Sequence, residues 1–177
     1  MKKITLIIFF IFINFTFPLH SNENIKKFKI EGFEIGENLS EYFPKKEIAK
    51  FRKDNVYQSR EAYIEDSKKI ITDLVLYNEK DLPLEIYEVL TIGVDEKNKI
   101  YGLAGLTKIK IKECMNIKSE IQKDILNTFW RSKVKVDQWH DSQEGDVYTV
   151  AMDFENGEAI VQCYKIGWLK VQAVVNK

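Results

Sequence analysis

The sequence predicts an α+β protein in which antiparallel meander sheets pack against two helical segments. Several runs alternate β-branched or aromatic residues with polar ones, and one long stretch repeats apolar residues every three or four positions. The pair Asn156 and Gly157 separates two alternating runs. In chain order the pattern is helix, strands, helix, strands. It predicts a single domain over residues 22–177, whose halves, 33–110 and 111–177, form a degenerate helix-plus-meander repeat.

The first 21 residues have the pattern of a secretory signal peptide. Lys2 and Lys3 precede a run of about 14 largely apolar residues, whereas a membrane-spanning helix needs roughly 20. We expect cleavage after Ser21, with an uncleaved anchor as the alternative. The mature chain is then expected in the periplasm or secreted, with no stable membrane span.

The next segment predicts a short strand or an extended lead-in over residues 28–36, followed by helix. Asn38, with Glu41 three residues later, is typical of a helix N-cap. Pro44 fits the first turn of a second helix better than the interior of the first. We therefore expect two short helical pieces that meet near Phe43.

Four strands are predicted in the middle of the chain, because β-branched and aromatic runs alternate with turn-like breaks. They lie at 62–65, 70–77, 85–94 and 100–110. Together they predict a four-stranded antiparallel meander.

Residues 112–130 predict the longest helix. Its apolar residues are three or four positions apart and form a stripe expected to face the core, whereas its lysines and acids are expected on the other face. The stripe consists of Cys114, Ile117, Ile121, Ile125 and Phe129.

A second strand group follows that helix. The Asn156 and Gly157 pair predicts a two-residue hairpin turn, and residues 168–175 predict a third strand. The turn would place six side chains on one apolar face, pairing Phe154 with Ala159, Met152 with Val161, and Val150 with Cys163.

Cys114 and Cys163 are the only cysteines. An even cysteine count in an exported chain favours a disulfide. Cys114 falls on the helix stripe and Cys163 on the apolar hairpin face, so a bond between them is expected to join helix and sheet. Two buried thiols, or a reactive or metal-binding pair, are the alternatives.

The stretch FEIGENLSEYF, residues 33–43, is similar to the glycine-then-helix opening of two families. These are the β-lactamase-inhibitor-protein-like domains, whose tandem arrangement the helix-plus-meander pattern resembles, and small outer-membrane-assembly lipoproteins of the SmpA/OmlA type. The sequence departs from both families where Phe43 and Pro44 replace the usual loop after the helix. The resemblance implies a domain that binds other envelope proteins.

Residues 137–146 are polar and predict a solvated loop between the long helix and the hairpin. His140, Asp141 and Glu144 are the candidate metal ligands there, although their order matches neither an EF-hand nor HExxH. Trp139 is the candidate anchor of a recognition loop. No residue is predicted to be catalytic, and no cofactor is predicted.

Trp139, Tyr164 and Trp168 are predicted to form a partner surface, because Tyr164 and Trp168 fall on the hairpin face opposite Cys163. A helix packed on that face is the alternative.

We therefore expect an exported, non-enzymatic binding domain of the bacterial cell envelope, whose partner is an unknown envelope protein or small ligand. A secreted metal- or carboxylate-dependent hydrolase centred near His140 is one alternative, and a protein inhibitor of a secreted hydrolase is another. The 27 basic and 27 acidic residues argue against a nucleic-acid partner, because phosphate binding needs a dense basic surface.

Overall fold

A computed structural model describes residues 25–128 and 133–175. The predicted signal peptide, residues 1–21, lies outside these ranges, as do Phe129 and Trp130 at the end of the predicted long helix. The helices are α1 (Lys45–Asp54) and α2 (Ile111–Thr128), and two 3-10 turns cover Ile25–Lys27 and Leu39–Glu41. The strands are β1 (Lys29–Ile30), β2 (Phe33–Glu34), β3 (Val56–Ile64), β4 (Ser67–Tyr77), β5 (Val89–Val94), β6 (Ile100–Lys108), β7 (Lys133–Asp141), β8 (Gly145–Asp153), β9 (Gly157–Tyr164) and β10 (Trp168–Val175).

Strands β3 to β10 form one eight-stranded antiparallel sheet. Its strand order is β3-β4-β5-β6-β10-β9-β8-β7, so each helix is followed by a four-stranded meander and the two meanders meet where β6 pairs with β10. The α+β class and the antiparallel meanders are confirmed. That the halves are a degenerate repeat stays a prediction.

Two helical pieces meet near Phe43, as the sequence predicts. The side chain of Asn38 accepts a hydrogen bond from the backbone N–H of Ser40 and caps the first 3-10 turn after β2. Helix α1 begins directly after Pro44. Its buried side chains join the same hydrophobic core as the first meander.

All four strands of the first meander differ in length from the prediction, and β3 and β5 differ most. β3 begins at Val56 instead of 62, and most of its side chains are exposed because it is an edge strand. β5 begins at Val89 instead of 85. The backbone N–H groups of residues 85–87 donate to the Glu31 carboxylate instead of to a neighbouring strand.

Helix α2 packs on β9 and β10 and is joined to the sheet by the predicted Cys114–Cys163 disulfide. Cys114 and Ile125 on its stripe are buried. Lys118 was predicted on the outer face but is buried, because a residue four positions after Cys114 falls on the same side of the helix.

The prediction of a loop over residues 137–146 is wrong. β7 and β8 run through this stretch as a hairpin, with only residues 142–144 in the turn, so the second meander has four strands and not three. β7 is an edge strand, and α2 packs on β9 and β10 rather than on β7. Val136 on the helix side is consequently 70% exposed, and polar residues on both faces of β7 hide its alternation.

The predicted apolar face of the β8–β9 hairpin is confirmed, whereas its pairing is wrong by two positions. Met152 pairs with Ala159 and not with Val161. A shift of two positions keeps each side chain on its face. All six predicted side chains are buried: Val150, Met152, Phe154, Ala159, Val161 and Cys163.

Gly157 explains the shifted pairing. It belongs to β9 and pairs with Val175 of β10, so it is not a turn residue. A Cβ at this position would lie 2.4 Å from the carbonyl oxygen of Val174 and 2.6 Å from Cγ2 of Ile25. The Asn156 side chain also accepts a hydrogen bond of 3.1 Å from the Ile25 backbone N–H. The two residues therefore hold the start of the described chain against the sheet.

Both helices and the segment before α1 pack on the same face of the sheet, where their buried residues form one hydrophobic cluster. We call the opposite face the open face, because the described helices leave it free. No helix among the described residues has the length and apolar character needed to cross a membrane. From β3 to β9, the open face carries Gln58, Asp73, Thr91, Ala104, Gln172 and Gln162.

Candidate binding face

The centre of the open face lacks large side chains. Gly93 of β5 lies directly opposite Gly102 of β6, and Thr91 lies opposite Ala104 in the next row. Glycine inside a strand weakens the sheet and often marks a site where another group approaches the backbone. A Cβ on Gly102 would have its nearest contact at 3.6 Å, so crowding does not require glycine there.

These small residues form the floor of an open trough of about 620 Å³ that crosses β3, β4, β5, β6 and β10. Tyr57 and Tyr77 lie at its β3–β4 end, and Lys170 and Gln172 lie at its β10 end. Sites for small ligands typically have volumes of roughly 300–1,000 Å³. The trough therefore has the size of a ligand site.

A β-bulge brings Tyr57 to the trough. The β3–β4 pairing shifts between Val56 and Gln58, and both Tyr57 and Gln58 line the trough. Bulges can redirect a side chain in this way. Tyr57 is 74% exposed and Tyr77 is 46% exposed. Such tyrosines supply rigid apolar contact area together with a hydroxyl group.

Asp73 is a buried acid at the same end of the trough. Its Oδ2 accepts hydrogen bonds from Gln58 Nε2, at 2.9 Å, and from the Arg60 guanidinium, with which it also forms an ion pair. The charges of Arg60 and Asp73 therefore compensate each other.

Lys170 lies at the other end, on β10, paired with Leu106 of β6 and Gln162 of β9. It is half-buried, and burial lowers the pKa of its amine, an effect that Glu144 partly offsets. None of the ion pairs among the described residues includes Lys170. At this end the trough therefore carries a lysine that is attracted by Glu144 but forms no ion pair with it.

The three predicted partner-surface residues lie in one row across the open face. Trp139 pairs with Val147, Val147 with Tyr164, and Tyr164 with Trp168. Lys108 ends the row, with its Nζ 5.0 Å from the Trp168 ring centroid. The sequence placed Tyr164 and Trp168 on this side of the sheet, whereas Trp139 was expected in a loop and lies in β7.

Hydrogen bonds link this row to its neighbours. Trp139 Nε1 and Gln162 Nε2 each donate to Thr149 Oγ1 at 3.4 Å, and the Tyr164 hydroxyl donates to Gln162 Oε1 at 3.1 Å. Burial raises the pKa of Tyr164, with smaller contributions from Glu144 and Asp141. Tyr164 and Trp168 are half-buried, whereas Trp139 is 41% exposed.

The candidate metal ligands lie at the tip of the β7–β8 hairpin. His140 Nδ1 lies 2.9 Å from Asp146 Oδ1, and Asp141 Oδ1 accepts hydrogen bonds from the backbone N–H groups of Gln143 and Glu144. These two backbone hydrogen bonds lower the pKa of Asp141. Across residues 25–128 and 133–175, no three His, Cys, Asp or Glu side chains are placed to hold a metal ion. His140, Asp141 and Glu144 thus do not form such a group.

Sequence reasoning missed the trough, although it named the three aromatic residues of the row. The available signal was glycine inside two predicted strands, at Gly93 and Gly102. Comparisons of the chain with protein-family models, curated proteins and solved structures found no match. The interpretation of this face therefore depends on its own geometry.

Proposed function

We propose that this protein is an exported, non-enzymatic binding domain of the bacterial cell envelope that holds its ligand or partner on the open face. The observation that carries the proposal is the trough, whose small-residue floor lies between two exposed tyrosines and a lysine that belongs to none of the ion pairs among the described residues. Concave surfaces with a few polar groups among apolar ones are the usual form of binding sites.

The disulfide supports the proposed compartment. Cys114 and Cys163 are bonded, and disulfides persist mainly in oxidising compartments such as the periplasm or the medium. The predicted signal peptide gives the same location. The sequence resemblance to domains that bind envelope proteins implies a partner of the same class.

Site-specific photo-crosslinking tests the binding face. The photoreactive residue p-benzoylphenylalanine replaces Tyr77, on the open face, in the cells that produce the protein. The matched control places it at Tyr63, which is 70% exposed. Tyr63 lies three positions after Arg60 and therefore on the opposite side of the sheet.

We expect a discrete adduct, identified by mass spectrometry, from position 77 and not from position 63. Equal adduct patterns at the two positions, or no adduct at position 77, would count against the open face as the binding surface.

A further inference from the structure

Lys170 differs from other lysines of the described chain in its surroundings. Lys118 and Lys170 are described lysines whose pKa lies below the ordinary value, and burial is the main cause in both. Lys118 lies on α2, on the helix side of the sheet, whereas Lys170 lines the trough. Lys170 is thus a desolvated amine that an incoming ligand can reach.

A desolvated ammonium group without an acidic partner is unfavourable for folding. Glu144 attracts Lys170 but forms no ion pair with it. Arg60, the other cation that lines the trough, is already bonded to Asp73. Charge complementarity therefore favours an occupant with one negative group at the β10 end.

The rest of the trough favours an apolar body. Gly102 and Ala104 carry little or no side chain, whereas Asp73 Oδ1 lies only 3.0 Å from where a Cβ of Gly93 would be. Tyr57 and Tyr77 supply ring faces. Lys170 pairs with Leu106, which lies four positions after Gly102 on β6, or about 13 Å at 3.3 Å per residue. An elongated ligand is needed to reach from one end toward the other.

We propose that the trough binds an elongated organic carboxylate of small-molecule size, with its carboxylate on the Lys170 ammonium group and its apolar or aromatic body over Gly93, Gly102 and Ala104. The trough volume of about 620 Å³ fits a small molecule. This assignment rests on the proposed function, because it names the class of ligand for the same face.

Two probes that differ only in charge test the assignment: 4-phenylbutyrate and its neutral amide, 4-phenylbutyramide. Each is titrated at pH 7 into the 15N-labelled mature protein, and the backbone amide shifts of Gly93, Gly102 and Ala104 are followed. We expect saturable shifts with 4-phenylbutyrate and an affinity at least about tenfold weaker for the amide, the effect of losing about 1.4 kcal/mol.

Variants separate Lys170 from general charge attraction. Lys170→Met should weaken 4-phenylbutyrate binding at least about tenfold, whereas Lys170→Arg, which keeps the positive charge, should retain most of it. Lys112→Met is the matched control, because Lys112 is an exposed lysine on α2 and loses the same charge. It should bind like the wild type.

Absence of saturable shifts at the three amides overturns the assignment, as does full binding by Lys170→Met. Equal affinity for the two probes overturns the role of the Lys170 charge but leaves the open face as a binding surface, so the two proposals fail separately. The probe pair is compared on the wild-type protein, so the assignment stays testable even if Lys170→Met does not fold.

Discussion

The ring of Tyr87 packs directly on the backbone of Gly105, so closely that a Cβ on Gly105 would lie 2.6 Å from Cγ and Cδ1 of the ring. Tyr87 is buried, and burial raises its pKa to about 12, with a further contribution from Glu31. The contact fixes the segment before β5 on the core face of β6.

Gly105→Ala is therefore expected to destabilise the protein by about 1–3 kcal/mol, because the tyrosine ring must shift to make room for the methyl group. The free energy of urea unfolding measures the effect. Gly102→Ala is the matched control on the same strand, since its Cβ has no contact closer than 3.6 Å, and its unfolding free energy should stay close to that of the wild type. Equal losses in the two variants would contradict this packing.

Removal of the disulfide is expected to lower the free energy of unfolding more than Gly105→Ala does. Cys114 and Cys163 are 49 positions apart, and a crosslink that closes a loop of this size stabilises by about 4 kcal/mol in the chain-entropy model. Reduction of the wild-type protein, verified by thiol labelling, should lower its urea midpoint. The double variant Cys114→Ala, Cys163→Ala should have a lower urea midpoint than the wild type, and reductant should not change that midpoint. An unchanged wild-type midpoint after complete reduction would show that the bond contributes little.

The features predicted correctly from the sequence are those with a local signal. The stripe that contains Cys114 repeats with the period of a helix, and Ala159, Val161 and Cys163 occupy alternate positions of β9, so each core face could be derived within one element. Cys114 and Ile125 on the stripe are buried, as are the three residues of β9. The disulfide followed because these two faces carry the cysteines.

The features that were missed depend on distant parts of the chain. β7 is stabilised by pairing with β8 alone, and α2 packs elsewhere, so its sequence lacks the alternation of a half-buried strand. Gly157 resembled a turn residue, but it is needed for close approach by Ile25 and Val174. The Lys170 end of the trough depends on the pairing of β6 with β10, and no local pattern predicts that pair.

Glu31 organises the segment before β5, although nothing in the sequence marked it. Its carboxylate accepts hydrogen bonds from the backbone N–H groups of Glu85, Ile86 and Tyr87, at 2.7 to 3.0 Å. Hydrogen bonds to a charged group contribute roughly 1.5–3 kcal/mol when shielded and less when exposed. We expect Glu31→Ala to accelerate amide hydrogen exchange at Ile86 and Tyr87 by about tenfold or more.

Glu85→Ala is the control variant for the segment before β5. It removes an exposed carboxylate from that segment and keeps the backbone N–H that donates to Glu31. Its exchange rates at Ile86 and Tyr87 should match those of the wild type. Unchanged exchange in Glu31→Ala would show that other contacts hold the segment.

The hairpin that contains His140 gives the last prediction, which concerns the titration of Asp146. The hydrogen bond from His140 is the largest cause that lowers the pKa of Asp146 below its ordinary value of 3.8, and Lys165 lowers it further. Because the pKa is lower in the folded state, these contacts stabilise the fold above about pH 3.8 and are lost as the pH falls through the folded pKa. We expect His140→Ala to raise the Asp146 midpoint toward 3.8, as measured by carbon NMR of the carboxyl group.

Asp141 supplies an internal control in the same spectra. Its pKa is lowered mainly by backbone hydrogen bonds from Glu144 and Gln143, and His140 makes the smallest contribution. The loss of His140 should therefore move Asp146 more than Asp141. Equal movement of the two carboxyl groups would mean that His140 acts on the hairpin as a general charge and not through its bond to Asp146. A larger shift of Asp146 would show that the bond from His140 lowers the pKa of Asp146 directly.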